Sequence, residues 1–392
     1  MWLLSQRFLG RVVVCKCSFS TRPQFEVRKA LIVSKMTRYE LEKFRNPQFD
    51  KTDNENNVRR GFDLDEIKKY YDVHKSYESY VVNTLNAFGI ETRIVNRTNY
   101  NKLDLEWCDA VFPVGGDGTF LLAASFVPDT KKPVIGFNSD PSRSEGHLCL
   151  PKKYSKNLSP ALEKLREGKL KWRMRTRIRI TLKGMDATKL PKQLHNQQML
   201  MPEFRFCNEL EGESKAENEY RLPYLALNEV FIGEYLSARV SYFELKLSEL
   251  PLTKVKSSGL CISTGTGSTS WHLSMNRITK LSVEQILKLL NVPGSNANVE
   301  NLVKDFNNSL IFSPEEKRLG YTVRDLISAG VWPHPPGLPS RGFSENIEVH
   351  SKCIDAGLVI DGGISYPFND GTKATVEVHS EDALRTVVLN ED

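Results

Sequence analysis

Hydrophobic and polar positions follow two rhythms along the chain, and the rhythm changes near residue 170. Before that point, short apolar runs are separated by amphipathic stretches. "KALIVSK" (29–35), "IETRIV" (90–95), "DAVFPV" (109–114) and "KPVIGFN" (132–138) have the length and apolar content of buried strands. "LDEIKKYYDVHKSYESYVVNTLNAFG" (64–89) places apolar residues at helical spacing and stops at Gly89; "FLLAASFV" (120–127) also reads as a helix. Strands alternating with helices imply βαβ units and a parallel sheet. Residues 36–66 are polar, with a loop-like centre, "NPQFDKTDNENN". Pro113 is discordant inside its strand, because proline cannot donate to a ladder.

Beyond 170 the strands follow one another without helices between them. "KWRMRTRIRITL" (171–182) alternates strictly, with Trp172, Met174, Thr176, Ile178 and Ile180 on one face and Arg173, Arg175, Arg177 and Arg179 on the other. It is expected to be one half-buried strand with its arginines in water, a phosphate or subunit contact being the sharper alternative. Further strand patterns lie at 224–233, 238–247, 259–264, 346–351, 356–362 and 373–380. They imply an antiparallel domain. Residues 183–222 are polar and loop-like, and 278–309 carry two helical patterns; both read as surface insertions. The expected class is α/β plus β: a Rossmann-like parallel-sheet domain over 26–168, then a β-rich, sandwich-like domain over 169–380. A tail at 381–392 is expected to return to the first domain.

Composition changes this picture little. The 392 residues are 40% hydrophobic and 26% charged, an ordinary globular balance. No apolar run approaches the ~20 residues that span a bilayer, so no membrane partner is expected. The net charge of +6 is mild, and no nucleic-acid motif accompanies it. Seven cysteines without a C-x-x-C pair suit a reducing compartment and no zinc site. The start of the chain is more telling. "MWLLSQRFLGRVVVCKCSFSTRPQF" carries Arg7, Arg11, Lys16 and Arg22 and no acid before Glu26. As a helix it is loosely amphipathic, which is the pattern of a mitochondrial transit peptide over about residues 1–25 and implies the matrix as destination.

The chemistry is concentrated in "FPVGGDGTFLLA" (112–123), where Gly115-Gly116-Asp117-Gly118-Thr119 joins a strand to a helix. The carboxyl ends of parallel strands form the ligand crevice of such sheets. Glycines let a phosphate approach bare backbone N–H groups. A carboxylate repels phosphate unless it accepts a proton or holds a metal ion, so Asp117 points to phosphoryl transfer rather than passive binding. The plainer reading is a tight turn capped by an aspartate. Neither a P-loop nor a complete G-x-G-x-x-G is present.

"GGDGT" (115–119), "LNEVFIG" (227–233) and "STGTGSTSW" (263–271) occur in the order found in NAD kinases, and residues 28 to 392 resemble the mitochondrial type of that family. "TRYE" (37–40), "PSRSEGHLCLP" (141–151) and "DGGISYPFNDG" (361–371) add to the likeness. The resemblance implies an active site between the two domains and phosphorylation of the 2′-hydroxyl of the adenosine ribose of NAD. ATP would be the donor, with Mg2+ or another divalent cation. It implies Asp117 as the catalytic base, and Gly115, Gly116, Gly118 and Thr119 on the phosphate side. Asn138, the pair Asn228–Glu229, and Thr266, Gly267, Ser268, Thr269 and Ser274 would contact the dinucleotide. It further implies a homodimer.

Neighbouring residues of a regular strand face opposite sides, so Asn228 and Glu229 can share a ligand only at a bulge or strand end. The chain departs from the family at Ser258-Gly259, at Gly265 in place of proline and at Trp271 in place of tyrosine. "SDPSRSE" separates Asn138 from Gly146 and brings Arg143 toward the phosphate side. His272 reads as structural. GGDG alone also fits lipid, sugar and sphingoid kinases, and a non-enzymatic NAD(P) sensor would present the same binding residues. Polyphosphate as donor and NADH as acceptor stay open.

Overall fold

A computed structural model describes residues 25–47, 49, 63–194, 219–291, 296–327 and 338–390. The expected leader lies outside these residues except for Phe25, whose ring packs edge-on against Trp172 at 5.0 Å. The polar stretch 195–218 also lies outside them.

The N-terminal domain is a parallel sheet flanked by helices. Its elements are β1 (Lys29–Ser34), α1 (Arg38–Arg45), α2 (Leu64–Ala87), β2 (Glu91–Val95), α3 (Lys102–Trp107), β3 (Ala110–Gly115), α4 (Asp117–Ser125) and β4 (Phe137–Asn138). Sheet order is β2-β1-β3-β4, and every pairing is parallel. Ala30 to Val33 are fully buried because helices cover both faces, which explains an unbroken apolar run in place of alternation. Helix α2 starts at Asp63, whose side chain accepts from Glu66 N. It stops just before Gly89, which has φ +78°.

Pro113 has a simple explanation. On its β1 side the ladder continues through Val33. On the other side the sheet is bridged at Val111–Val134 and resumes only at Val114–Phe137. Pro113 stands in that gap, where the ladder loses no donor it could have used.

The C-terminal domain is a β-sandwich. One antiparallel sheet has six strands, in the order 253–257, 241–247, 346–351, 372–378, 178–184 and 220–221. The other has seven: 341–344, 319–324, 259–263, 229–234, 356–360, 364–367 and 192–193. Ile180, Leu245, Val349 and Ala374 from the first sheet and Val230, Ile232, Leu260 and Leu358 from the second fill one core. Helices Lys280–Leu289 and Asn296–Ser309 occupy the second expected insertion. No described helix is long and apolar enough to cross a membrane.

The arginine-rich stretch corrects the sequence reading. It forms two strands, Leu170–Arg175 and Ile178–Gly184, which belong to different sheets. Among the described residues, Leu170–Arg175 pairs only with the strand Leu384–Leu389. The chain changes sheets between them, so one alternating register cannot run through. Arg177 is 1% exposed; it donates to Val127 O at 2.6 Å and Asp382 O at 2.6 Å. Arg179 pairs with Asp382 and Glu381. This face meets the first domain and the C-terminal segment rather than water.

Candidate active site

The four parallel strands end around one cavity of about 340 Å³. Strand β1 contributes Ser34, Lys35 follows it, and Arg97 follows β2. The β3–α4 junction contributes Gly116 to Thr119, and β4 leads into Asn138, Ser139 and Asp140. Lys35 and Arg97 are missing from the sequence reading, although the rule that ligands sit at carboxyl strand ends points to both positions. Burial holds the Arg97 pKa below its usual value.

Helix α4 begins at Asp117 itself, three residues earlier than its apolar run suggests. The Asp117 carboxylate accepts from Leu148 N at 2.8 Å and His147 N at 3.1 Å. Two backbone donors thus fix its orientation at the cavity wall. The glycines around it differ in their reasons. A Cβ on Gly115 would lie 2.4 Å from Thr119 Oγ1, and one on Gly116 would lie 2.9 Å from Ser144 Oγ. A Cβ on Gly118 would meet nothing within 4 Å, so that glycine leaves open space beside the carboxylate.

Asn138 is buried and internally bonded: Nδ2 donates to Ser144 O at 3.0 Å, and Oδ1 accepts from Asp140 N at 3.1 Å. Gly146, at φ +64°, packs so closely that its Cβ would lie 2.5 Å from Asn138 Nδ2. The seven residues of "SDPSRSE" therefore loop out while the asparagine and glycine stay in contact. Arg143 lies over the Tyr70 ring at 3.5 Å, held toward α2.

Beneath the cavity is a buried network with no signature in the sequence. Ser34 Oγ donates to the Glu78 carboxylate. His74 Nε2 is 3.0 Å from Ser34 Oγ, and Nδ1 is 3.0 Å from Ser139 Oγ. With Ser34 donating to Glu78, its oxygen accepts from Nε2–H, and Nδ1 accepts from Ser139. Burial lowers the His74 pKa, which suits a neutral ring in this role.

The sandwich presents the second group. Asn228 immediately precedes the strand Glu229–Glu234, so the adjacent pair sits at a strand end. Asp361 accepts from Leu227 N at 2.8 Å, Asn228 N at 2.7 Å and Glu229 N at 3.1 Å. Burial, with the nearby Asp361 carboxylate, pushes the Glu229 pKa up to about 8, and its Oε2 has no protein partner. The loop carrying Thr266, Gly267 and Ser268 packs directly on this segment: a Cβ on Gly267 would lie 2.2 Å from Asn228 O. At Gly265 a Cβ would lie 1.7 Å from Ser313 O. Leu227 lies in one core cluster with Phe120 and Ala123 of α4, which docks the two halves together.

Not every expected residue joins them. Thr269 is exposed and donates to Thr266 O at 3.4 Å. Ser274 lines a separate cavity with Trp271, Asn276 and Arg324. His272 packs edge-on against Phe312 at 5.9 Å.

The molecule has the two-domain fold of the NAD kinases. The solved structure of yeast NADH kinase complexed with NADH superposes with a TM-score of 0.54 over 94% of this chain and 85% of that one, at 14% identity. The human protein named NAD kinase 2, mitochondrial, is 39% identical over 380 residues, which cover 94% of this chain and 85% of its own. The Xenopus tropicalis protein of that name is 36% identical over 395 residues, covering 94% and 92%. No family model matches the chain. At these identities the chain belongs to the NAD kinase family, in its mitochondrial branch.

Proposed function

We propose that this protein is the mitochondrial enzyme that moves the terminal phosphoryl group of ATP to the 2′-hydroxyl of the adenosine ribose of NAD, giving NADP and ADP. Family membership sets aside the lipid-kinase, sugar-kinase and sensor readings. The observation that carries the mechanism is the Asp117 carboxylate, clamped by two backbone N–H groups next to the open space at Gly118.

Asp117 accepts the hydroxyl proton as the oxygen–phosphorus bond forms, since a carboxylate cannot remove it in advance. The bond from the terminal phosphorus to the bridging oxygen breaks, and ADP leaves with that electron pair. Lys35 and Arg97 face the same cavity and stabilise the phosphate oxygens. Gly115, Gly116 and Thr119 shape the phosphate loop. Asn138 acts as its brace through Ser144 and Gly146. Asn228, Glu229 and the Thr266–Ser268 turn receive the dinucleotide; Thr269 and Ser274 lie outside this group.

No group of three or more potential metal ligands occurs among the described residues. Asp140, which lines the same cavity as Asp117, would suit Mg2+, a cation held by one or two carboxylates together with substrate phosphates. When bound, the cation neutralises charge on the phosphates. The leader delivers the chain to the matrix and is removed, and the mature protein works as a homodimer; the leader's basic, acid-free composition and the resemblance support these points.

Incubation of the purified chain with NAD, ATP and magnesium should yield NADP, and a chelator should stop it. A folded wild-type chain that yields none refutes the reading.

A further inference from the structure

Arg175 is electrostatically incomplete. It ends the strand Leu170–Arg175 and is 7% exposed. Nη1 donates to Thr266 Oγ1 at 3.3 Å, and buried Nε meets no protein acceptor. Its neighbours are better served: Arg177 donates to three backbone carbonyls, leaving only Nη2 without a partner, and Arg179 pairs with two carboxylates. Burial, and then Arg173 beside it, push the Arg175 pKa down to about 10, while Asp117 and Glu315 act from a distance in favour of its charge.

The surroundings are specific. Arg175 and Arg173 line one cavity of about 250 Å³. His147 and Leu148 line it too, and their N–H groups hold Asp117. Arg175 thus lies between the segment that clamps the catalytic carboxylate and the Thr266 turn on the dinucleotide side. A guanidinium this buried with one neutral protein partner is costly unless an anion completes it. Its planar fork matches carboxylate and phosphate geometry alike, and phosphate is the anion that the proposed reaction brings to this site.

We propose that Arg175 binds the phosphoryl group newly attached to the ribose, a phosphate monoester dianion, and thereby distinguishes NADP from NAD. This rests on the kinase reading given above. Arg173, on the same cavity, adds charge of the same sign and favours the dianion further. The interaction forms as the phosphoryl group arrives and is absent from the bound NAD, so it acts on transfer and product affinity rather than on substrate binding.

The test compares NAD and NADP binding by calorimetry in the full chain, with turnover and thermal denaturation measured alongside. In Arg175→Met, NADP affinity should fall about ten- to a hundredfold, the range of one charge-assisted hydrogen bond to a dianion. NAD affinity should stay within about threefold, and thermal stability should hold or rise, because an unpaired buried charge has gone. Arg175→Lys keeps the charge without the fork and should recover part of the NADP affinity. Equal weakening of both dinucleotides, or of neither, in an enzyme that makes NADP overturns the inference alone. A wild-type chain that binds both dinucleotides and makes no NADP overturns the kinase reading with it.

Discussion

Asp361 Oδ1 accepts the N–H of Asn228 at 2.7 Å, and through that bond a half-buried carboxylate sets the start of the strand Glu229–Glu234. Asp361 reaches it from φ +47°, a conformation few non-glycine residues hold. The strain is offset by the two further donors, Leu227 N and Glu229 N. Asp361→Asn turns one acceptor into an NH2 group facing backbone donors. It should cost about 1–3 kcal/mol in chemical denaturation and raise KM for NAD.

Two glycine substitutions should separate folding from ligand space. Gly267→Ala drives a methyl group into Asn228 O and should destabilise the protein by about 1–3 kcal/mol. Gly118→Ala meets no protein atom and should leave stability within about 0.5 kcal/mol. Its KM for nucleotide should nevertheless rise about tenfold. Denaturation curves beside steady-state kinetics read both; an unchanged KM in Gly118→Ala contradicts a nucleotide at that position.

Asp117→Asn keeps an acceptor for one of the two clamping N–H groups but cannot take a proton. Turnover should fall about 10²–10⁴-fold, with the circular dichroism spectrum unchanged. Asp117→Ala should fall at least as far. Near-wild-type turnover in either variant rules out the proton-acceptor role.

Glu229 gives a pH signature. Its folded pKa of about 8 lies above the usual carboxylate range, so the folded state holds a proton that the unfolded chain has released. Stability from this group is complete below about pH 4 and is lost as pH rises toward and through about 8. Glu229→Gln carries no titratable proton. Between about pH 6 and pH 9 its melting temperature should decline less than that of the wild type. Parallel declines in the two proteins speak against the burial described here.

Much of this architecture was legible in sequence because its cause is local. The parallel strands announce themselves as apolar runs, and α2 by its spacing, its Asp63 cap and Gly89. The GGDGT junction is readable because glycines and a carboxylate have few other reasons to meet there. Helix α1 lies in a polar stretch without a clear apolar spacing, yet Thr37 and Glu40 form a capping box that marks its start. Other features lie beyond local pattern. The sheet change at Thr176–Arg177 is set by what each half packs against, so an alternating run of arginines looked solvent-facing while Arg177 was buried between domains. Asp361 lies 133 residues from the backbone amide of Asn228 that it holds, and His74 lies 40 from Ser34, so no spacing rule reaches either. Trp271 and Phe231, 4.6 Å apart, are likewise joined only by the fold.

The last strand, Leu384–Leu389, has a consequence for biogenesis. Leu389 lies in the core beneath the parallel sheet, and Val134 N donates to Arg385 O at 2.9 Å. The N-terminal domain is therefore finished with residues from the opposite end of the chain. A polypeptide that emerges from a ribosome, or crosses a membrane, amino end first cannot close this domain early. Its first half stays incomplete until the segment Arg385 to Leu389 has been made.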